Sequence, residues 1–130
     1  MRRLASLAVL TAAACLPGSA PAHPATATPP AATVASVSHL RVVQVEYRLG
    51  LSAGVIKAGP VALEAIDRGH DPHDLRLQAL GSSSQLAAPQ LTPGESWSGT
   101  VNLKPGVYRL WCSLPEHARL GMHTTLKVVR

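Results

Sequence analysis

Three side chains that bind soft metals stand at equal intervals near the C-terminus. In the stretch GVYRLWCSLPEHARLGMHTTLKV, Cys112, His117 and Met122 follow one another five residues apart. The chain of 130 residues contains only two Cys, two Met and six His, so this regular placement of one of each points to a shared role. Pro115 and Gly121 within the stretch indicate a loop.

A thiolate, an imidazole and a thioether are poor ligands for hard ions such as Ca²⁺ but suit copper, whose two oxidation states accept both nitrogen and sulfur. An electron-transfer copper site uses two His nitrogens, one Cys sulfur and a weak axial Met. The loop lacks the second His. His73 is the candidate, because strand alternation places it on one face with Leu75 and Leu77. His70, in the turn GHDPH, is the alternative, although we expect it to be solvated.

The elements that must position these residues are predicted to be strands. From residue 38 the chain alternates apolar and polar residues between Gly, Pro, Asn and Asp turn signals, which predicts an antiparallel β-sandwich or barrel. Two potential ligands, His73 and Cys112, are then predicted to face the interior from different strands. The residues predicted to share one face of a strand are Val43, Val45, Tyr47 and Leu49; Val61 and Leu63; His73, Leu75 and Leu77; Trp97, Gly99, Val101 and Leu103; Tyr108, Leu110 and Cys112; and Leu126 and Val128.

The first 22 residues have the layout of a secretory signal peptide. Arg2 and Arg3 are followed by the apolar run 4–16 and by Ala20-Pro21-Ala22, a small-x-small cleavage pattern. The apolar run is too short to span a bilayer, and no second one follows. We therefore expect an exported protein, in the periplasm, the cell envelope or outside the cell, without a transmembrane segment in its mature form.

Cleavage leaves a Pro/Ala/Thr-rich flexible linker (residues 23–37) and one small domain (residues 38–130). Ordinary cleavage after Ala22 would make His23 a new N-terminus able to bind copper, and lipidation of Cys15 is the alternative to this cleavage.

After ordinary cleavage Cys112 is the only Cys of the mature chain, so an internal disulfide is impossible. A lone exported thiol is a buried inert residue, an intermolecular bridge or a metal ligand.

Charge and motif content argue against several function classes. Without the signal peptide the chain has ten basic and seven acidic residues, and the basic ones are scattered, so nucleic acid binding is not expected. Copper oxidases need further His pairs, often H-x-H, and the sequence contains no H-x-H. A binuclear copper centre needs a second Cys in the loop, and position 116 is Glu. A Cys-His hydrolase would need a third member that is not evident. We therefore expect no enzymatic activity.

The chain resembles the small cupredoxins, the plastocyanin, azurin and auracyanin group of blue-copper proteins. The runs PGVYRLWCSLPEHARLGM, GHDPHDLRL and LTPGESWSGTVNLKPG carry the resemblance, which covers roughly residues 38–130. It implies an all-β, single-domain Greek-key β-sandwich with one copper ion at one end. It also implies a role for Asp74, just after the first His ligand, in tying the two ligand loops together by hydrogen bonds. The four copper ligands that it implies are His73, Cys112, His117 and Met122.

Two positions depart from the pattern of the resembled group. Glu116 stands where relatives often carry Gly, which puts a charge beside the expected electron exit. Asp67 stands where relatives often have Asn. Neither change removes an implied ligand.

The resemblance implies a one-electron carrier between redox partners, expected to be monomeric. Its His117 would be the exposed ligand, surrounded by an apolar docking patch of Leu114, Pro115, Leu120 and Gly121. Two alternatives stay open at this point. One is a module that stores copper or delivers it to an oxidase, and the other is a redox-inert interaction domain with the same fold.

Overall fold

The computed structural model describes residues 36–130. The expected signal peptide, Cys15, His23 and nearly all of the linker lie outside the described residues. Within residues 36–130 the chain forms nine β-strands, and no helix there is long and apolar enough to cross a membrane. The strands are β1 (Ser38–Val45), β2 (Arg48–Leu51), β3 (Val55–Lys57), β4 (Gly59–Asp67), β5 (Arg76–Ala79), β6 (Gln85–Ala87), β7 (Ser96–Leu103), β8 (Gly106–Trp111) and β9 (His123–Val129).

The strands form two sheets that share one hydrophobic core, so the expected all-β sandwich is confirmed. One sheet has the order β2-β1-β4-β7 and the other the order β3-β9-β8-β5-β6. The expectation of purely antiparallel pairing was wrong for two pairs, because β1 pairs with β4 and β3 pairs with β9 in parallel. The chain leaves the first sheet after β2, places β3 in the second, and returns as β4. Such a crossover is what parallel neighbours require.

Aliphatic side chains fill the core, since the sequence contains no Phe. The predicted alternation is confirmed on β4, β7, β8 and β9 and for the run from His73 to Leu77, all of whose predicted inward residues are buried or half-buried. The largest fully buried apolar side chains are Leu40, Leu63, Leu75, Leu110, Met122 and Leu126.

The predicted face of the first strand was wrong. Leu40, Val42 and Gln44 are buried, whereas Val43 and Val45 are only half-buried. The inward amide of Gln44 has a structural use, because its Nε2 donates to the Asp74 carbonyl at 2.8 Å. The alternation also stops at the turn that follows Val45, so residues beyond it do not continue the face.

Three connections meet at one end of the sandwich. They are the turn 46–47 between β1 and β2, the segment 68–75 between β4 and β5, and the loop 112–122 between β8 and β9. Backbone hydrogen bonds join them to the sheets: Arg68 N–H donates to Gln44 at 2.9 Å, and Cys112 N–H donates to Met122 at 3.1 Å. The residues with metal-binding chemistry therefore lie on connections that the sheets fix in place.

Candidate metal centre

His73 is held by backbone pairing although it lies outside the named strands. It forms an isolated antiparallel bridge with Leu91, in which His73 N–H donates to Leu91 at 3.0 Å and Leu91 N–H donates back at 2.7 Å. Its side chain is fully buried, as the alternation with Leu75 and Leu77 predicted. The backbone that carries this imidazole is therefore fixed to the segment between β6 and β7.

The loop 112–122 is closed by hydrogen bonds between its own backbone groups. Cys112 N–H donates to Met122, and Met122 N–H donates to the carbonyl of His117 at 2.9 Å. Leu120 N–H donates to Glu116 at 2.9 Å, which forms a single helical turn in the middle of the loop. Cys112 and Met122 are fully buried, while His117 is half-buried. The even spacing of the three residues thus corresponds to a compact loop that returns to its starting point.

The donor atoms of His73, Cys112 and His117 lie within 4.8 Å of one another. Nδ1 of His73 is 3.3 Å from Nδ1 of His117, and the same His117 nitrogen is 3.5 Å from Cys112 Sγ. Three donors bound to one ion at about 2.0–2.3 Å stand about 3.5–4 Å apart, so one ion can contact all three. Met122, bonded through its backbone to both Cys112 and His117, is buried beside them. Two imidazoles and a thiol with a neighbouring thioether fit the donor set of a type 1 copper site.

The thiol of Cys112 is buried away from solvent. Burial raises the pKa of Cys112, although the backbone N–H of Asp74 donates to its sulfur at 3.4 Å. A metal ion held here would bind the thiolate form of Cys112. The Asp74 N–H would then remain as a hydrogen-bond donor to the charged sulfur.

Asp74 joins the two ligand segments, as the resemblance implied. Its Oδ1 accepts the Ser113 backbone N–H at 2.5 Å, and its Oδ2 accepts the Ser113 hydroxyl at 2.5 Å. Arg76 contacts the same carboxylate, with its guanidinium 2.9 Å from Oδ2. Burial alone would raise the pKa of Asp74, but the Ser113 hydrogen bonds and the Arg76 charge outweigh it and hold the pKa below its ordinary value.

Sequence reasoning missed an acidic group behind His73. Oε1 of Glu46 accepts the backbone N–H groups of His70 at 2.6 Å and Asp71 at 2.7 Å. The Asp71 hydrogen bond is the largest of the effects that lower the pKa of Glu46 to about 2. The same oxygen lies 3.3 Å from Nε2 of His73. The fully buried Asp67 places Oδ1 4.0 Å from that nitrogen. The available signal was the polar residue Gln44 on the buried face of β1, two residues before Glu46, but the sequence prediction placed Val43 and Val45 on that face instead.

Tyr47 is a second residue that the sequence did not reveal. Its ring packs edge-on against the His117 ring, with centroids 5.0 Å apart and an interplanar angle of 73°. Its carbonyl oxygen also approaches Gly121, where an added Cβ would lie 3.2 Å away. The turn after β1 therefore supports the ligand loop from one side.

Glu116, the departure from the resembled group, has a backbone explanation. Its φ is 67°, and among the described residues it alone combines a positive φ with a side chain. Gly adopts this conformation without steric cost, which accounts for a Gly at this point in a loop of this shape. The Glu116 side chain forms an ion pair with Arg119 at the surface.

The remaining histidines stay outside the cluster. His70 is almost fully exposed, with 98% of its side chain accessible, as expected for a solvated turn residue. His39 and His123 are exposed as well. Of the described histidines, His73 and His117 alone join Cys112.

No family model matches the chain, and no curated protein matches it. Among solved structures it is similar to reduced auracyanin from Roseiflexus castenholzii, with 15% identity, a TM-score of 0.57, and coverage of 74% of this chain and 98% of that one. It is also similar to auracyanin A, a "blue" copper protein from Chloroflexus aurantiacus, with 14% identity, a TM-score of 0.56, and coverage of 72% of this chain and 100% of that one. Rusticyanin from Thiobacillus ferrooxidans has 16% identity and a TM-score of 0.55, with coverage of 72% of this chain and 77% of that one. At these identities the likeness establishes the cupredoxin fold.

Proposed function

We propose that this protein is an exported type 1 copper protein that carries one electron at a time between redox partners. The gathering of donor atoms from His73, Cys112 and His117 within 4.8 Å carries the proposal. The thioether of Met122, which is buried next to them, would complete the donor set. Bound copper would supply a one-electron couple between Cu(I) and Cu(II).

The chain holds these donors in place through contacts that do not depend on a metal. His73 is paired with Leu91, Cys112 N–H is bonded to Met122, and Asp74 links the two segments. Ligands locked by packing and hydrogen bonds move little when the charge at the centre changes. Small movement is what rapid electron exchange requires, and it favours a carrier over a delivery module that must release its metal.

We place the docking surface for redox partners around His117, the half-buried ligand. Pro115, Leu120 and Gly121 are exposed, and Leu114 is half-buried. Leu120 is 49% exposed and lies next to Gly121 in the loop that carries His117. A partner with an apolar surface would cover this patch and approach the His117 ring.

Voltammetry of the copper-loaded protein tests the carrier role. We expect a reversible one-electron wave that persists through repeated cycles and is kept by His70→Ala, because His70 lies outside the cluster. Cys112→Ser should abolish it. A wave that decays because copper leaves on reduction would contradict a carrier and favour copper delivery.

The docking patch has a matched control. Leu120→Lys should slow electron exchange with a protein partner without changing the reduction potential. Leu80→Lys alters an equally apolar side chain that is 64% exposed in the turn after β5, and should leave the exchange rate unchanged. Equal rates for the two variants would rule out the proposed patch.

A further inference from the structure

We propose that Glu46 is a positioning residue for the metal centre, which fixes the His73 imidazole through its outer nitrogen and, together with Asp67, lowers the reduction potential of the bound metal. The inference rests on the proposed function. The two ring nitrogens of His73 face different surroundings. Nδ1 faces the cluster, 3.3 Å from His117 Nδ1, while Nε2 faces the carboxylates behind the ring.

Nε2 of His73 needs an acceptor if Nδ1 is to bind a metal. A ligating imidazole carries its proton on the other nitrogen, and a buried N–H without a partner is rare in proteins. Nε2 is buried and has no partner with full hydrogen-bond geometry, but Glu46 Oε1 stands 3.3 Å away. We infer that this carboxylate accepts a hydrogen bond from the Nε2–H group and so selects the tautomer with Nδ1 free.

Glu46 is itself held against the ligand segment. Its Oε1 accepts the N–H groups of His70 and Asp71, the residues that precede His73 by three and two positions. Gly69 leaves the space for this contact, since a Cβ there would lie 2.7 Å from His73 Nε2 and closer still to the Glu46 carboxylate. The carboxylate thus follows the segment that carries His73.

Asp67 adds a second carboxylate to the same nitrogen. It is fully buried, with Oδ1 4.0 Å from Nε2 and Oδ2 without a hydrogen-bond partner. The Gln44 Oε1 atom is buried and unpartnered in the same way, and Gln44 is the register neighbour of Asp67 in the β1–β4 pair. The carboxylates of Glu46 and Asp67 thus both lie on the outer side of the His73 ring.

The carboxylates behind His73 should favour the more positive oxidation state of the bound copper. Negative charge near a buried site stabilises Cu(II) more than Cu(I), and a carboxylate hydrogen bond makes the imidazole a stronger donor. Both effects lower the reduction potential. Removing the Glu46 charge should therefore raise it.

The test compares Glu46→Gln with Glu64→Gln in the copper-loaded protein. Glu64 lies on β4 with its side chain in a surface ion pair with Arg41, so its neutralisation is a matched loss of one charge. We expect Glu46→Gln to change the ratio of Cu(II) to Cu(I) affinity about tenfold, an upward shift of about 59 mV for one electron. Glu64→Gln should give less than half of that. Equal shifts for the two variants would overturn the charge effect.

A measurement on the metal-free protein tests the contact itself. Long-range ¹H–¹⁵N NMR should show His73 protonated at Nε2, with this tautomer weakened in Glu46→Ala and kept in Glu46→Gln, whose amide oxygen can still accept. Gly69→Ala, which inserts a methyl group between the two side chains, should weaken it too. An unchanged tautomer in both Glu46→Ala and Gly69→Ala would overturn the positioning role.

The two proposals fail in different ways. If the wild-type protein gave no reversible copper couple, the electron carrier would be wrong, while the NMR result on the metal-free protein would still decide the Glu46–His73 contact. If the wild type gave the couple and Glu46→Gln matched Glu64→Gln, the potential-lowering role alone would fall.

Discussion

The carboxylate of Asp74 accepts two hydrogen bonds from Ser113, one from the backbone N–H and one from the hydroxyl, both at 2.5 Å. This pair joins the residue after His73 to the residue after Cys112. The segments that carry His73 and Cys112 are therefore held as one unit, because a displacement of either would break hydrogen bonds to a buried carboxylate.

Asp74→Ala should loosen both ligand segments together. We expect the free energy of unfolding of the metal-free protein to fall by about 1–3 kcal/mol, since the Ser113 donors lose a charged acceptor. Copper affinity should fall about 10–100-fold, as for other residues that orient ligands. Chemical denaturation and a competition assay would measure the two effects. Ser113→Ala removes one of the two bonds and should have a smaller effect, so a larger one would contradict this account.

Tyr47 is predicted to support His117 through ring packing. Tyr47→Ala should destabilise the metal-free fold by at least about 0.5–1.5 kcal/mol, the contribution of an aromatic pair beyond buried area. It should also speed the loss of copper to a chelator, because His117 becomes more accessible. Tyr47→Phe keeps the ring and should match the wild type in chelation kinetics. Similar rates for Tyr47→Ala and the wild type would show that the ring does not protect the site.

Glu116 is predicted to tolerate Gly but not a β-branched residue. At a φ of 67° a side chain costs roughly 1–2 kcal/mol, and a β-branched one costs more. Glu116→Gly loses only an exposed ion pair with Arg119, which contributes little. Thermal unfolding should therefore show Glu116→Gly close to or above the wild type and Glu116→Val clearly below it. The reverse order would mean that this φ is not adopted in solution.

The sequence predicted the ligand loop better than it predicted the surroundings of the ligands. The spacing of Cys112, His117 and Met122 and the alternation around His73 depend on neighbours in the chain, so local rules were sufficient to select them as candidates. Glu46 acts on His73, 27 positions away, and Tyr47 acts on His117, 70 positions away. The Glu46 contact follows from the parallel β1–β4 pairing, which brings the ends of both strands to the same side of the sheet, and the Tyr47 contact crosses to the loop between β8 and β9. No local pattern predicts either of them.

The buried face of β1 was also not predictable from neighbouring residues alone. Val43 and Val45 are both apolar, whereas the alternating pair Val42 and Gln44 includes a polar amide. The structure nevertheless buries Val42 and Gln44. Its amide bonds the carbonyl of Asp74, a contact thirty positions away that offsets the cost of burying a polar group. Hydrophobic alternation cannot anticipate a buried polar residue whose partner lies on another segment.

The thiol of Cys112 should react slowly in the metal-free fold. It is fully buried, and burial raises its pKa, so at neutral pH the nucleophilic thiolate is both scarce and shielded. With a thiol-reactive disulfide such as DTNB, we expect a rate at least about tenfold below that of the denatured chain, rising with pH at higher values than for free cysteine. A rate equal to that of the denatured chain would contradict the buried position.

Titration of the metal-free protein with Cu(II), followed by visible absorption, tests the gathering of His73, Cys112 and His117 most directly. The structure predicts an intense thiolate-to-copper charge-transfer band that saturates at one copper per chain, persists in His70→Ala and disappears in Cys112→Ser. A titration that gives only a weak d–d band in the wild-type protein would contradict it.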